Sequence, residues 1–109
     1  MKYEVQITEG AEGDLAEIVD FLVGREGPDL AERILEGLLD AAAQLAQYPE
    51  RGAHPRELLA LGIREFRQVL FPPYRLIYRI LGRQVFLLVV ADSRRDFQTL
   101  LQRRLLARA

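Results

Sequence analysis

The chemistry open to this 109-residue chain is concentrated in its arginines. Residues 51–109 hold twelve of them against four carboxylates, Glu57, Glu65, Asp92 and Asp96. Residues 1–50 hold three bases against twelve acids, so a net charge of −1 conceals two halves of opposite sign. Such asymmetry points to a basic functional surface built from the second half, or to acidic helices lying beside a basic sheet. A planar guanidinium binds phosphate or carboxylate oxygens as a two-pronged fork, so anion recognition is the chemistry this set supports. Groups that move protons are scarce. Cysteine is absent, which excludes disulfides, thiolate metal sites and a thiol nucleophile. His54 is the sole histidine and sits in a proline-containing connection, where it reads first as a solvent-exposed loop residue. Tyr74 and Tyr78 alternate onto one strand face and read as packing residues with a polar tip. Glu57 and Glu65 are the carboxylates nearest the basic strands, and each suits a base or an ion-pair partner. Neither a metal nor a cofactor is expected.

The elements that position these groups follow from periodicity. Tyr3, Val5 and Ile7 alternate with Lys2, Glu4 and Gln6, which predicts a half-buried strand over residues 2–7. Thr8 then caps a helix whose stripe is Ala11, Leu15, Ile18 and Leu22, with Gly24 and Gly27 as its breakers. Pro28 suits the first turn of a second helix, in which Ala31, Ile34, Leu35, Leu38, Ala42 and Leu45 form the apolar stripe. The two helices make an antiparallel hairpin. Residues 49–62 are irregular, with a turn of helix at Leu58–Leu61.

From Ile63 onward three strands are expected. Leu81-Gly82-Arg83-Gln84 reads as a two-residue hairpin turn, which would pair Ile80 with Val85 and Tyr78 with Leu87. This register puts Tyr74, Leu76, Tyr78, Ile80, Val85, Leu87, Val89 and Ala91 on the face that receives the helical hairpin. Arg75, Ile77, Arg79, Phe86, Leu88 and Val90 form the other face, an apolar floor with two arginines. A one-residue slip would exchange the faces. Ser93 and Asp96 resemble a capping box for a final helix, along which Phe97, Leu100, Leu101 and Leu105 fold back on the sheet. Arg103, Arg104 and Arg108 would complement its dipole. The expectation is one α/β (α+β) domain over residues 1–109, in the order β-α-α-β-β-β-α. No apolar run reaches the roughly 20 residues of a membrane-spanning helix, and the alternating N-terminus is unlike a secretory signal, so a cytoplasmic protein is expected.

That order resembles the RelE/ParE superfamily of toxins from type II toxin–antitoxin systems. Phe66-Arg67-Gln68-Val69 followed by Pro73-Tyr74-Arg75-Leu76-Ile77-Tyr78-Arg79-Ile80 looks like the family's paired central strands. Val89-Val90-Ala91-Asp92-Ser93-Arg94-Arg95-Asp96 is similar to its strand-end arginine motif. The resemblance implies a poison held inactive by a cognate antitoxin, with two branches to choose between.

RelE-like members cut messenger RNA in the ribosome, and Arg67, Arg75 and Arg94 fall where those nucleases keep a lysine or arginine. Yet the family's second strand lysine is replaced here by Val69 or Gln68. Where a tyrosine or histidine should follow the strand end, this chain has Phe97, Gln98, Thr99 and Leu100. ParE-like members instead bind DNA gyrase without being nucleases. A retained fold and basic face without proton-transfer groups fits that branch better. Target contacts are then expected from Arg75, Arg79, Arg94, Arg95, Arg103 and Arg104, with salt bridges to Asp92, Asp96 or the acidic helices as the alternative for Arg94 and Arg95. Ile77, Phe86, Leu88 and Val90 would receive an acidic, amphipathic antitoxin segment. With no helix-turn-helix or stacking platform in view, DNA contact is expected only through an antitoxin complex.

Overall fold

A computed structural model describes residues 2–106. Strand β1 (Glu4–Ile7) leads into α1 (Glu9–Glu26), and α2 (Pro28–Ala43) follows and runs on into a 3₁₀ turn at Gln44–Ala46. A single turn of helix, α3 (Arg56–Leu59), precedes β2 (Phe66–Phe71), β3 (Tyr74–Leu81) and β4 (Gln84–Asp92). Helix α4 (Phe97–Leu101) continues as a wider π-type turn to Leu106. The expected order is therefore present; Arg108, expected to complement the dipole of the last helix, lies outside the described residues.

Local chemistry explains the hairpin. The Thr8 hydroxyl accepts from the Ala11 N–H at 3.3 Å and donates to the Leu87 carbonyl at 2.8 Å, so one side chain caps α1 and ties it to the sheet. Gly24 lies inside α1, where a helix tolerates a glycine at a cost of about 1 kcal/mol. The true stop is Gly27, whose φ of +97° disfavours any side chain. Its N–H bonds to the carbonyls of Leu22 and Val23, and Pro28 starts α2 at the next residue. One residue thus reverses the chain.

The four strands lie in the order β1-β4-β3-β2, with β1 parallel to β4 and the other pairs antiparallel. The Gly82-Arg83 turn sets Ile80 opposite Val85 and Tyr78 opposite Leu87, as its residues require. Beyond that point the register shifts: Ile77 pairs with Val89, and Leu76 with Val90. Leu88 is therefore the extra residue of a β-bulge, and the distal half of β4 turns over. Val90, expected on the open floor, packs with Leu76 beneath the hairpin. Val89 and Ala91, expected beneath the hairpin, join Ile77 on the opposite face.

Two cores result. On one face Ala11, Leu15, Leu38, Ala42 and Leu45 pack on Val69, Tyr74, Leu76, Tyr78, Val85, Leu87 and Val90. On the other, Leu58 of α3 and Phe97, Leu100 and Leu101 of α4 cover Phe66, Ile77, Val89 and Ala91. Ile77 is therefore wholly buried rather than free for a partner. The cap of α4 is Asp96, whose carboxylate accepts from both the N–H and the hydroxyl of Thr99. Ser93, expected as that cap, instead donates its N–H to the Pro73 carbonyl at 2.7 Å.

Candidate functional site

The six arginines expected to meet a target, and Arg67, have very different surroundings. Arg75 lies on the face of α3 and α4 and is almost buried. Its guanidinium makes a two-pronged pair with Glu57 at 2.9 and 3.0 Å, its Nε donates to the Gln68 side-chain oxygen at 2.8 Å, and the Phe97 ring lies 3.9 Å below it. The pair holds the Glu57 carboxyl below its ordinary range, because hydrogen bonds from Arg75 outweigh the effect of burial. Glu57 is thus an ion-pair partner, and Arg75 is a core cation rather than an open one.

Arg67 projects to the opposite face beside Tyr78, where it donates to the carbonyls of Gly52 and Glu50 at 2.9 and 3.2 Å. Arg94 lies on the surface beyond β4, in a paired contact with Asp92 at 2.6 and 2.9 Å that draws the Asp92 carboxyl down to about 2. Arg67, Arg75 and Arg94 therefore do not converge.

Arg104 is also committed. It grips both oxygens of Asp14 on α1 at 2.9 and 3.1 Å and donates to the Leu88 carbonyl at 3.0 Å. Asp14 in turn accepts the Val90 N–H at 2.9 Å. The bulge frees those backbone groups from the ladder, and the Asp14–Arg104 pair satisfies them. Arg79 pairs loosely with Glu65 at 3.2 Å over the Phe66 ring. Arg95 and Arg103 are exposed, with no side-chain partner among the described residues. The open remnant of the expected floor is a groove of about 270 Å³ lined by Phe66, Arg79, Leu81, Phe86, Leu88, Arg104 and Leu105.

A groove of about 590 Å³ lies where the β2–β3 turn meets the connection before α3. His54, Arg56, Gln68, Leu70, Pro72, Pro73, Tyr74, Arg75 and Ser93 line it. His54 is half-buried rather than a free loop residue, and its Nδ1 lies 3.0 Å from the Phe66 carbonyl. A carbonyl can only accept, so Nδ1 carries the proton and Nε2 is left for another partner. Two backbone bonds between Ala53 and Gln68, 2.7 and 3.1 Å, fix this connection against the free edge of β2. Irregular spacing gave no hint of that bridge, so sequence reasoning missed His54 and Arg56 as neighbours of Arg75.

Both tyrosines resist ionisation. Burial pushes the phenols of Tyr74 and Tyr78 up, and Tyr78 is spent on structure: its hydroxyl donates to the Pro49 carbonyl at 2.6 Å and accepts from the Gly52 N–H at 3.1 Å. Among the described residues no cluster of histidine and carboxylate side chains is arranged to hold a metal ion. No helix among them is long and apolar enough to cross a membrane.

Comparison with known proteins places this geometry. A family model described as the ParE toxin of the type II toxin–antitoxin system parDE matches residues 5–97. The fold is similar to a chain of the chromosomal ParDE toxin–antitoxin system of P. aeruginosa, with a TM-score of 0.71, 20% identity, and coverage of 84% of this chain and 96% of that one. It is also similar to a chain of the toxin–antitoxin complex RelBE2 of Mycobacterium tuberculosis, with a TM-score of 0.63, 26% identity, and coverage of 84% and 99%. No curated protein gives a significant match.

Proposed function

The chain belongs to the ParE toxin family of type II toxin–antitoxin systems, and from that premise we propose that it poisons DNA gyrase by binding rather than by cutting RNA. The observation that carries this reading is the dispersal of Arg67, Arg75 and Arg94. Cleavage through a 2′-hydroxyl needs cations, a base and an acid around one phosphate. Here one arginine holds a loop, one is neutralised by Glu57, and one lies on the surface with Asp92. What remains is a binding surface, with Arg79, Arg94, Arg95 and Arg103 as its target contacts.

Similarity to chains from two toxin–antitoxin systems supports a cognate antitoxin as the natural partner. Its landing site is the groove around Phe86 and Leu88, flanked by Leu81 and Leu105 and by the Arg79 cation. An acidic amphipathic segment would cover those apolar groups and meet the arginine as it folds.

The test is direct. Purified chain should inhibit gyrase supercoiling while cell-free translation proceeds, and co-expressed antitoxin should relieve the growth arrest. Immediate arrest of translation with cut messenger would replace this reading with that of a ribosome-dependent mRNA endonuclease. One observation favours that second reading: His54 offers a free imidazole nitrogen in a groove shared with Arg75.

A further inference from the structure

A groove of about 330 Å³ between α1 and the end of β4 has an open strand edge along one side. Strand β1 pairs with β4 only as far as Leu87, so the distal half of β4 has no neighbouring strand there. Backbone groups alternate along a strand, and the Val90 N–H points outward to Asp14. The Val90 carbonyl and the Asp92 N–H share that direction, and neither meets a hydrogen-bonding partner among the described residues.

The other wall is α1. Asp14, Ile18 and Phe21 follow at spacings of four and three, so one face of the helix lines the groove. Ile18 is half-buried, whereas Phe21 is 60% exposed, with the Arg25 guanidinium 5.4 Å from its ring. An accessible aromatic ring is the kind of group that anchors a protein interface.

The charges of the groove are only partly matched. Arg104 takes Asp14, and Arg94 takes Asp92. Glu17 on α1 and Arg95 beyond β4 line the same groove, yet neither makes an ion pair among the described residues.

We infer that this groove takes an extended segment of the chain's protein target, added as a strand to the edge of β4. One residue of a strand running parallel to β4, as β1 does, would donate to the Val90 carbonyl and accept from the Asp92 N–H. An apolar side chain of the segment lies against Ile18 and Phe21, and an acid beyond the end of β4 meets Arg95. A phosphate, by contrast, has no donor for the Val90 carbonyl. The occupant is the target because Arg94 and Arg95, two of its contacts, line the groove. The free Glu17 carboxylate disfavours an acidic antitoxin segment, which has its own groove around Phe86 on the α4 side. The identity of that target rests on the gyrase reading.

Amide hydrogen exchange of the full chain, alone and with purified gyrase, tests the strand addition. The Asp92 N–H should exchange at least about tenfold more slowly in the complex. Phe21 and Arg95 are exposed, so Phe21→Ala and Arg95→Ala should keep the fold and each weaken gyrase binding about tenfold in titration calorimetry. Arg33→Ala, on the exposed face of α2, should leave affinity within about twofold. Unchanged exchange at Asp92 in a complex that does form, or wild-type affinity in both groove variants, would overturn the groove and leave gyrase as the target. Equal loss in the Arg33 and Arg95 variants would reveal a diffuse charge effect and overturn it too. Protection of Asp92 by the antitoxin and not by gyrase would reassign the groove, and a chain that gyrase does not bind at all would overturn both readings.

Discussion

Strands β2, β3 and β4 contribute to both faces of the four-stranded sheet, yet the two faces manage charge in different ways. Under the α1–α2 hairpin the core is apolar apart from the phenols of Tyr74 and Tyr78, and the Tyr78 hydroxyl is satisfied on both sides by the 49–52 segment. Under α3 and α4 the core admits a guanidinium, because Glu57, Gln68 and Phe97 surround Arg75 with partners. An isolated charge there would cost several kcal/mol. An arginine on a central strand is therefore not by itself a functional cation. Its meaning is set by what the next helix brings to it.

The largest effects should test whether the two cores are equally cooperative. Leu76→Ala beneath the hairpin and Leu101→Ala in α4 each remove a fully buried side chain and should cost about 2–5 kcal/mol in chemical denaturation. A much smaller loss for Leu101→Ala, with an unchanged slope for Leu76→Ala, would mean that α4 opens separately from the hairpin core.

Glu57→Gln comes next, at about 3 kcal/mol, because it leaves Arg75 charged and nearly buried. Pairing it with Arg75→Met should recover most of the loss, and failure to recover would show that the arginine is held by Phe97 and Gln68 instead. The same pair predicts the acid response. Glu57 is depressed below 4.5 in the folded chain, so its stabilisation is complete above that value and disappears as pH falls through the lowered one. A fluorescence-monitored acid titration of wild type against Glu57→Gln should show the two stabilities converging below pH 4.5.

Gly52→Ala should cost about 1–3 kcal/mol, since a Cβ there would lie 2.5 Å from the Gln68 carbonyl oxygen and from the Tyr78 hydroxyl. Thermal unfolding checks it. The smallest change belongs to Asp92→Asn on the surface. Exposed pairs contribute little, and the carboxyl titrates at about 2, so whatever it adds is present above 3.8 and lost as pH falls toward 2. A large midpoint shift at pH 7 would give the Arg94 contact a structural weight its exposure does not suggest.

Much of this arrangement was legible in residue order. Thr8, Gly27-Pro28 and Gly82-Arg83 each dictate a local geometry by their own chemistry, and the helices and the proximal β3–β4 register follow from them. The bulge at Leu88 was not legible. Phe86-Leu87-Leu88-Val89-Val90-Ala91 is apolar throughout, so no alternation marks the residue at which the faces exchange. Residue order therefore puts Val90 on an open floor, whereas the bulge carries it beneath the hairpin; Ile77 keeps its expected face but is closed over by α3 and α4, while Phe86 and Leu88 keep partial exposure.

Sequence alone fixed the toxin-like order of elements, the absence of thiol chemistry and the crowding of arginines into the second half. Those depend on composition and on interactions a few residues apart. Which arginines are free was decided by contacts spanning many residues: Glu57 with Arg75, Asp14 with Arg104, and Ala53 with Gln68, which carries His54 to its groove. A guanidinium's role depends on the carboxylate or carbonyl within about 3 Å of it, and only the folded chain brings those groups together.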